Sequence, residues 1–280
     1  PGWTSYANRI QSQAYDVTKM VESKNGIGVV IGKGWYHGTF MGAEPNSDNY
    51  KGDLYSFISE LVVTYEDGTK ESILNDEKWK YFHGSILHSE IYDGEKFNAN
   101  LINNYWSSFG VDNENSKKAM FDTYDGKLIS TSNELIKRHE ILKPKKLITT
   151  PSGDKVIDFG QNLVGWVEFT SNGQKDQEVK LYHAEILFQD EFYIDNLRGA
   201  DQLNTYILNG DPNYVYRPHF TFQGFRYLKI EGMEEINLDK FKAVALYSDM
   251  KRSGTFSSSN PLINQLQSNI EWGQKGNFLD

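Results

Sequence analysis

Residues 156–169 read VIDFGQNLVGWVEF, and the reading of this stretch decides the fold. Its second half alternates. Leu163, Gly165, Val167 and Phe169 face one way; Val164, Trp166 and Glu168 face the other. That is the period of a β-strand buried on at least one side. Gly160 and Gly165 weaken a regular strand, so they predict a bend or a close approach of other backbone. Asp158, Gln161 and Asn162 need partners wherever the strand is buried. Taken alone, the stretch reads as a core strand of a β-sandwich.

Towards the C-terminus the pattern continues. Residues 178–186, EVKLYHAEI, put Val179, Leu181, His183 and Glu185 on one face. A His and a Glu among apolar residues read as a buried pair, or as groups that approach a ligand. Residues 192–199 form a loop in which Asp195, Asn196 and Arg198 lie close, and Arg198 suits bidentate pairing with a carboxylate. Residues 201–208 read as a strand and Asn209-Gly210-Asp211-Pro212 as a turn. Residues 220–222 and 225–230 are aromatic-rich strands broken at Gly224, and residues 241–248 close the sandwich. Then the character changes. Asn260-Pro261 caps and opens a helix, in which Leu262, Ile263, Leu266, Ile270 and Trp272 recur at near-helical spacing. The apolar stripe of this single helix must pack on the sandwich or on something absent from the chain.

Towards the N-terminus, residues 136–149 are basic and β-like, with Pro144 at a strand end or edge. Before them come many short strands. Residues 10–15 form one, followed by a helical turn at Asp16-Val17-Thr18. Residues 27–31 form another. Residues 57–65 pair with 69–74 across Glu66-Asp67-Gly68, the strongest hairpin signal in the chain. Residues 77–82 and 87–92 add further strands, whereas 43–53 and 102–118 read as loops. Short strands at this spacing, with few helical patterns, indicate a sandwich or jelly roll. The expected fold is all-β: two β-sandwich, jelly-roll-like domains, residues 1–137 and 138–255, then a C-terminal helix within 256–280.

Composition narrows the function. The 280 residues carry a net charge of −9, which argues against a nucleic-acid phosphate backbone as partner. With no cysteine there is no disulfide, thiolate metal site or thiol nucleophile. No apolar run approaches the ~20 residues of a membrane span. There is no G-x-S-x-G elbow, H-E-x-x-H or phosphate-binding glycine loop. Aromatics reach 14%, as both β-sheet cores and sugar-binding faces favour.

Aromatic faces stack on pyranose rings, and carboxylates and amides bind their hydroxyls. Trp35 and Tyr36 sit between glycines in GKGWYHG, as loop-tip aromatics or as a plug at the end of the sandwich. Asp93 and Glu95 flank a glycine in YDGE, as contributors to an oxygen-rich calcium site or as solvated acids of a plain turn. His37, His83 and His88 lack metal-ligand spacing and read as surface or satisfied histidines.

Several runs carry a family likeness: PGWTSYANRI, GKGWYHG, SEIYDGEKFNANL, DFGQNLVGW, YHAEIL, NLRGADQLNTYIL, RPHFTFQGFRYLKIEG and SNPLINQLQSNIEWGQKGNFLD. In this order and spacing the chain resembles the region that precedes the catalytic domain in bacterial alpha-L-rhamnosidases of glycoside hydrolase family 78. The resemblance implies a first domain like a carbohydrate-binding module, lacking one or two initial strands, that in some relatives holds L-rhamnose with a calcium ion. Asn8 falls where those relatives present an Asp-Asn pair to calcium, but position 7 is Ala. No other cofactor is implied. The resemblance places loop 192–199 towards the catalytic domain. It also makes the final helix the first of an (α/α)6 catalytic barrel lying beyond Asp280. The implied reaction is inverting hydrolysis of terminal alpha-L-rhamnose, with an acid and a base carboxylate about 6.5–9.5 Å apart, both in the absent barrel. No catalytic residue is therefore expected in this chain. Its partners would be a rhamnose-containing glycoside and the missing catalytic domain. A stand-alone carbohydrate-binding protein or a structural spacer are the other readings, in either a cytoplasmic or a secreted bacterial setting.

Overall fold

The computed structural model describes residues 4–38 and 54–279; the loop expected at 43–53 lies outside them. The described residues form β1 (Arg9–Ser12), β2 (Glu60–Thr64), β3 (Lys70–Leu74), β4 (Lys80–Tyr81), β5 (Ile86–Glu90), β6 (Gly94–Asn98), β7 (Lys117–Lys118) and β8 (Lys127–Ser130). Then follow β9 (Ile136–Leu142), β10 (Lys146–Thr149), β11 (Lys155–Phe169), β12 (Glu178–Ala184), β13 (Ile186–Phe188), β14 (Glu191–Tyr193), β15 (Leu203–Ile207), β16 (Gln223–Glu231) and β17 (Phe241–Ser248). A single α-helix, α1 (Pro261–Asn277), ends the chain. Among the described residues the fold is all-β with one terminal α-helix, as the sequence predicts.

Nine strands share one sheet in the order β5-β6-β15-β12-β16-β11-β17-β9, with β10 also on β11. Strand β11, the stretch first read from the sequence, is its longest member. It is bent where expected. Gly160 has φ +79°, and the register against β16 shifts between Asp158 and Leu163. Gly165 admits close backbone: a Cβ there would lie 1.9 Å from the Val244 carbonyl oxygen. The sheet curls. The rings of Phe169 on β11 and Tyr206 on β15 lie 5.2 Å apart, although β12 and β16 separate their strands. A flat sheet would hold them about 14 Å apart at its usual strand spacing. Inside the curl sit Ile157, Phe159, Leu163, Val167, Phe169, Leu181, Tyr206, Phe225 and Phe241, all buried.

Residues 86–98, assigned from sequence to the first domain, lie in this large sheet. Strand β6 pairs in parallel with β15, Glu95 opposite Asn204 and Phe97 opposite Tyr206. The rest of the N-terminal region makes two-stranded ladders, β1 with β8, β2 with β3 and β4 with β7. The β2–β3 hairpin turns at Asp67-Gly68 as expected: Asp67 Oδ1 accepts from the Thr69 N–H and hydroxyl, and Gly68 has φ +83°. Residues 27–31 form no strand. Gly26 and Gly28 press instead on Ser107 and the Trp106 ring, so close that a Cβ would lie 2.1 and 2.4 Å away.

Helix α1 begins as predicted, with Asn260 Oδ1 accepting from the Leu262 N–H and Pro261 in the first turn. Its seating is less expected. At about 100° per residue, Gln267, Ser268, Glu271, Trp272, Lys275 and Gly276 share one half of the helix, and these are its partly covered positions. Lys275 Nζ reaches Glu140 Oε1 on β9 at 2.6 Å and lies 4.5 Å from the Trp272 ring centroid. Glu140 also accepts from the Tyr247 hydroxyl, and burial followed by this bond pushes the phenol up to about 12. Leu262, Ile263, Leu266 and Ile270 fall within an arc of about 100° on the opposite side, 77, 44, 58 and 54% exposed. The helix therefore seats its polar half on the sandwich and turns its apolar stripe away.

Candidate functional site

The bend in β11 shows what the DFGQN run does. Asp158, 3% exposed, accepts from the Gly160 N–H at 2.6 Å and receives Arg226 Nε and Nη2 at 2.8 and 3.0 Å. Burial alone would raise its carboxyl. Arg226, Gly160 and Lys146 outweigh that and hold it below the usual carboxylate range. The pair ties the bulge of β11 to β16.

The five residues expected to bind sugar do not converge on one place. Asn8 is exposed; its amide donates to Ser5 Oγ at 2.8 Å, and its carbonyl accepts from the Lys127 N–H. Trp35 and Tyr36 stand in one turn but diverge. The Tyr36 ring meets Tyr6 edge-on at 5.3 Å, near Asn8 in sequence, while Trp35 meets Tyr92 at 5.8 Å. Asp93 and Glu95 diverge as well. The Asp93 carboxylate lies 4.0 Å from His88 Nε2, and its carbonyl accepts from Leu203. The Glu95 side chain is wholly buried, where it takes the His219 N–H at 2.8 Å and lies 2.9 Å from the His219 ring Nδ1. Solvent does not reach it, so Glu95 is not the solvated acid of a plain turn. Among the described residues no three His, Asp or Glu side chains gather as a metal site.

A buried polar chain continues from Glu95. Its N–H donates to Asn204 Oδ1, Asn204 donates to Gln223 Oε1, Gln223 donates to Thr221 Oγ1, and Thr221 donates to the Ile91 carbonyl. This chain fastens the β5–β6 hairpin to the loop before β16. His183 lies alongside, fully buried, its ring Nδ1 2.8 Å from the Gln202 carbonyl. Burial pushes it down to about 4, so it is neutral. It makes no pair with Glu185: β12 ends at Ala184, and Glu185 accepts from the Asn162 amide. Arg198 is exposed, with φ +59°.

One pocket, of ≈ 170 Å³, opens where the N-terminal region, the large sheet and α1 meet; Trp35, Tyr92, Gln202, Phe222, Gly224 and Gly276 line it. Sequence reading found only Trp35 of these as a candidate. Gln202 and Gly276 carry no local signal, because the fold alone brings them to Trp35.

Among the described residues, a curled nine-stranded sheet with two-stranded ladders before it defines an all-β fold of the β-sandwich class. Residues 1–140 match the alpha-L-rhamnosidase N-terminal domain, and residues 148–247 match the bacterial alpha-L-rhamnosidase concanavalin-like domain. The chain belongs to the alpha-L-rhamnosidase family. It is 36% identical to an alpha-L-rhamnosidase of Formosa agariphila over all of its own length and 31% of that protein's. The alpha-L-rhamnosidase of Aspergillus terreus superposes on the whole chain with a TM-score of 0.87 at 34% identity. That of Streptomyces avermitilis, solved complexed with L-rhamnose, gives 0.88 at 30%. The chain covers 33% and 27% of those two structures, so it spans about a third of the length of the relatives it matches.

Proposed function

We propose that this chain is the non-catalytic N-terminal portion of an alpha-L-rhamnosidase, and that the parent protein hydrolyses terminal alpha-linked L-rhamnose with inversion. Within that reading, the acid and base carboxylates belong to the remainder of the parent, and the curled sheet with α1 is the platform on which that remainder sits. The N-terminal region contributes sugar contacts through Trp35, and through Tyr36 and Asn8 on its other side. The observation that carries the reading is the outward apolar stripe of α1. Four large aliphatic side chains at helical spacing face water on the side opposite the sandwich, and such a face is normally covered by another element. Its partner is the rest of the parent, because the matched relatives extend far beyond the aligned region.

The test compares two polypeptides on an aryl alpha-L-rhamnoside. The 280-residue chain gives no turnover above buffer, whereas a version extended through the parent's full coding sequence does. In the extended version, Leu266→Glu together with Ile270→Glu lowers activity and melting temperature. Turnover by the 280-residue chain, or an extended protein indifferent to both substitutions, overturns the proposal.

A further inference from the structure

The loop after β14 holds a backbone that its residue does not suit. Arg198 ends the short 3-10 turn Asp195–Leu197 at φ +59° and ψ −105°, a region that glycine enters freely and other residues only with strain. Gly199 stands one position away from where it would relieve that strain. Nothing nearby offsets it. The Arg198 N–H reaches the Asp195 carbonyl at a long 3.4 Å, and the side chain is exposed. Among the described residues its guanidinium meets no acceptor, carboxylate or ring. A surface outlier without local support points to a contact made elsewhere.

The loop leaves a rigid hairpin. Strands β13 and β14 pair Ile186 with Tyr193 and Phe188 with Glu191. They join through Gln189 and Asp190, both at positive φ, +50° and +63°, the turn geometry that matches strand twist. Alternation gives the hairpin two faces. Leu187 and Phe192 share the one towards the sheet, where Lys229 Nζ stands 5.7 Å from the Phe192 ring centroid. Glu191 ties the tip to the Ser152 N–H and hydroxyl at 2.8 and 2.7 Å. On the other face Ile186 and Phe188 are exposed, with the Tyr193 ring 5.5 Å from that of Phe188, and Ile194 beyond them is exposed too. An ordered apolar face beside an unpaired guanidinium has the make-up of an interface centre, where aromatic and Arg anchors carry most of the energy.

This hairpin adjoins α1. A Cβ on Gly224 would lie 3.5 Å from Glu185 Oε1, at the hairpin root, and 3.9 Å from Val164 Cγ2; one on Gly276 of the helix would lie 3.0 Å from the same Val164 atom. We propose that the β13–β14 hairpin and Arg198 form a second docking surface beside α1 for the remainder of the parent protein, and that Arg198 pairs there, through both arms of its fork, with a carboxylate of that remainder. The partner rests on the rhamnosidase reading, in which this chain spans about a third of the matched relatives. The pair, set beside Phe188 and Ile194 and shut off from water, offsets the strain at Arg198.

Arg198→Gly is compared in the 280-residue chain and in the version extended through the parent's full coding sequence. In the 280-residue chain glycine removes strain and no contact, so the melting temperature rises by about 1–3 °C. In the extended protein the ion pair goes with the strain, and the melting temperature falls by a similar amount. Phe188→Ser leaves the 280-residue chain unchanged and lowers the melting temperature of the extended protein. Hydrogen exchange gives an independent reading: the amides of residues 194–199 exchange about tenfold more slowly in the extended protein. A rise with Arg198→Gly in both proteins, or equal exchange in both, overturns the proposal. An extended protein that hydrolyses the aryl rhamnoside and responds to Leu266→Glu with Ile270→Glu, yet gains stability from Arg198→Gly, sinks this inference and leaves the proposed function standing. One that neither hydrolyses the rhamnoside nor responds to the helix variants overturns both.

Discussion

Removing the Asp158 carboxylate is the sharpest test of how the bulge of β11 is held. In Asp158→Ala the Gly160 N–H and two guanidinium N–H groups of Arg226 lose their acceptor at once. Breaking a fully buried ion pair costs about 3–5 kcal/mol. Here the Arg226 side chain is 38% exposed, so water recovers part of that, and about 2–3 kcal/mol is expected. For a protein of this size that lowers the melting temperature by about 5–10 °C, read by Trp fluorescence with Trp166 on the same strand as reporter. Asp158→Asn keeps an acceptor for Gly160 but no charge for Arg226, and should lose about half as much. The pH dependence has a definite sign. The folded carboxyl titrates below its unfolded value, so the contribution is complete above the unfolded pKa of about 3.9 and is lost as pH falls through the folded one. The gap between wild type and Asp158→Ala should therefore close in acid. A variant that melts within a degree or so of wild type at neutral pH would refute the assignment.

Two further outcomes follow from buried groups. Because His183 is held neutral down to about pH 4 while an unfolded histidine titrates near 6.5, the unfolded state binds the extra proton between those values. Stability should fall on acidification by up to about 1.4 kcal/mol per pH unit, and denaturant melts of His183→Leu across that range should show the slope reduced. Gly165→Ala places a methyl group onto the Val244 carbonyl and forces β11 and β17 apart. A loss of soluble, folded protein is expected, against an unchanged Gly254→Ala, where a Cβ meets nothing within 4 Å; circular dichroism and gel filtration decide it.

Much of the sheet was legible because its signals are local. The alternation from Leu163 to Phe169, the Asp67-Gly68 turn and the Asn260-Pro261 cap each use a few neighbouring residues, and each stands where the sequence put it. The same alternate positions face the core on both sides of the bulge, Ile157 and Phe159 before it and Leu163, Val167 and Phe169 after it, although the register against β16 slips between Asp158 and Leu163. Residues 27–31 show where local preference fails. β-propensity describes a fit to a pleated, half-buried surface, and IGVVI lies against the Trp106 loop with no strand paired to it among the described residues. Glu95 looked like a turn acid because Gly94 precedes it. What buries it is the parallel pairing with β15, more than a hundred residues away, and no local pattern encodes that. The apolar stripe of α1 was legible, but the choice of face was not, since Lys275 is drawn to the sandwich by Glu140 and Tyr247 and Trp272 packs against its core. The pocket around Gln202 was invisible for the same reason as the burial of Glu95: its walls come from parts of the chain with no sequence relation.

The parallel seam between β6 and β15 also bears on how such proteins are recombined. A gene spliced in the linker that separates the two sequence families would leave residues 86–98 with the donor and the open flank of β15 with the recipient. Each product would carry an unsatisfied strand edge and half of a buried carboxylate–imidazole clasp. The natural unit of exchange is the later sheet together with that early hairpin. Chimaeras cut upstream of Ser85 would inherit an intact sheet, whereas those cut at the family boundary would inherit an open seam.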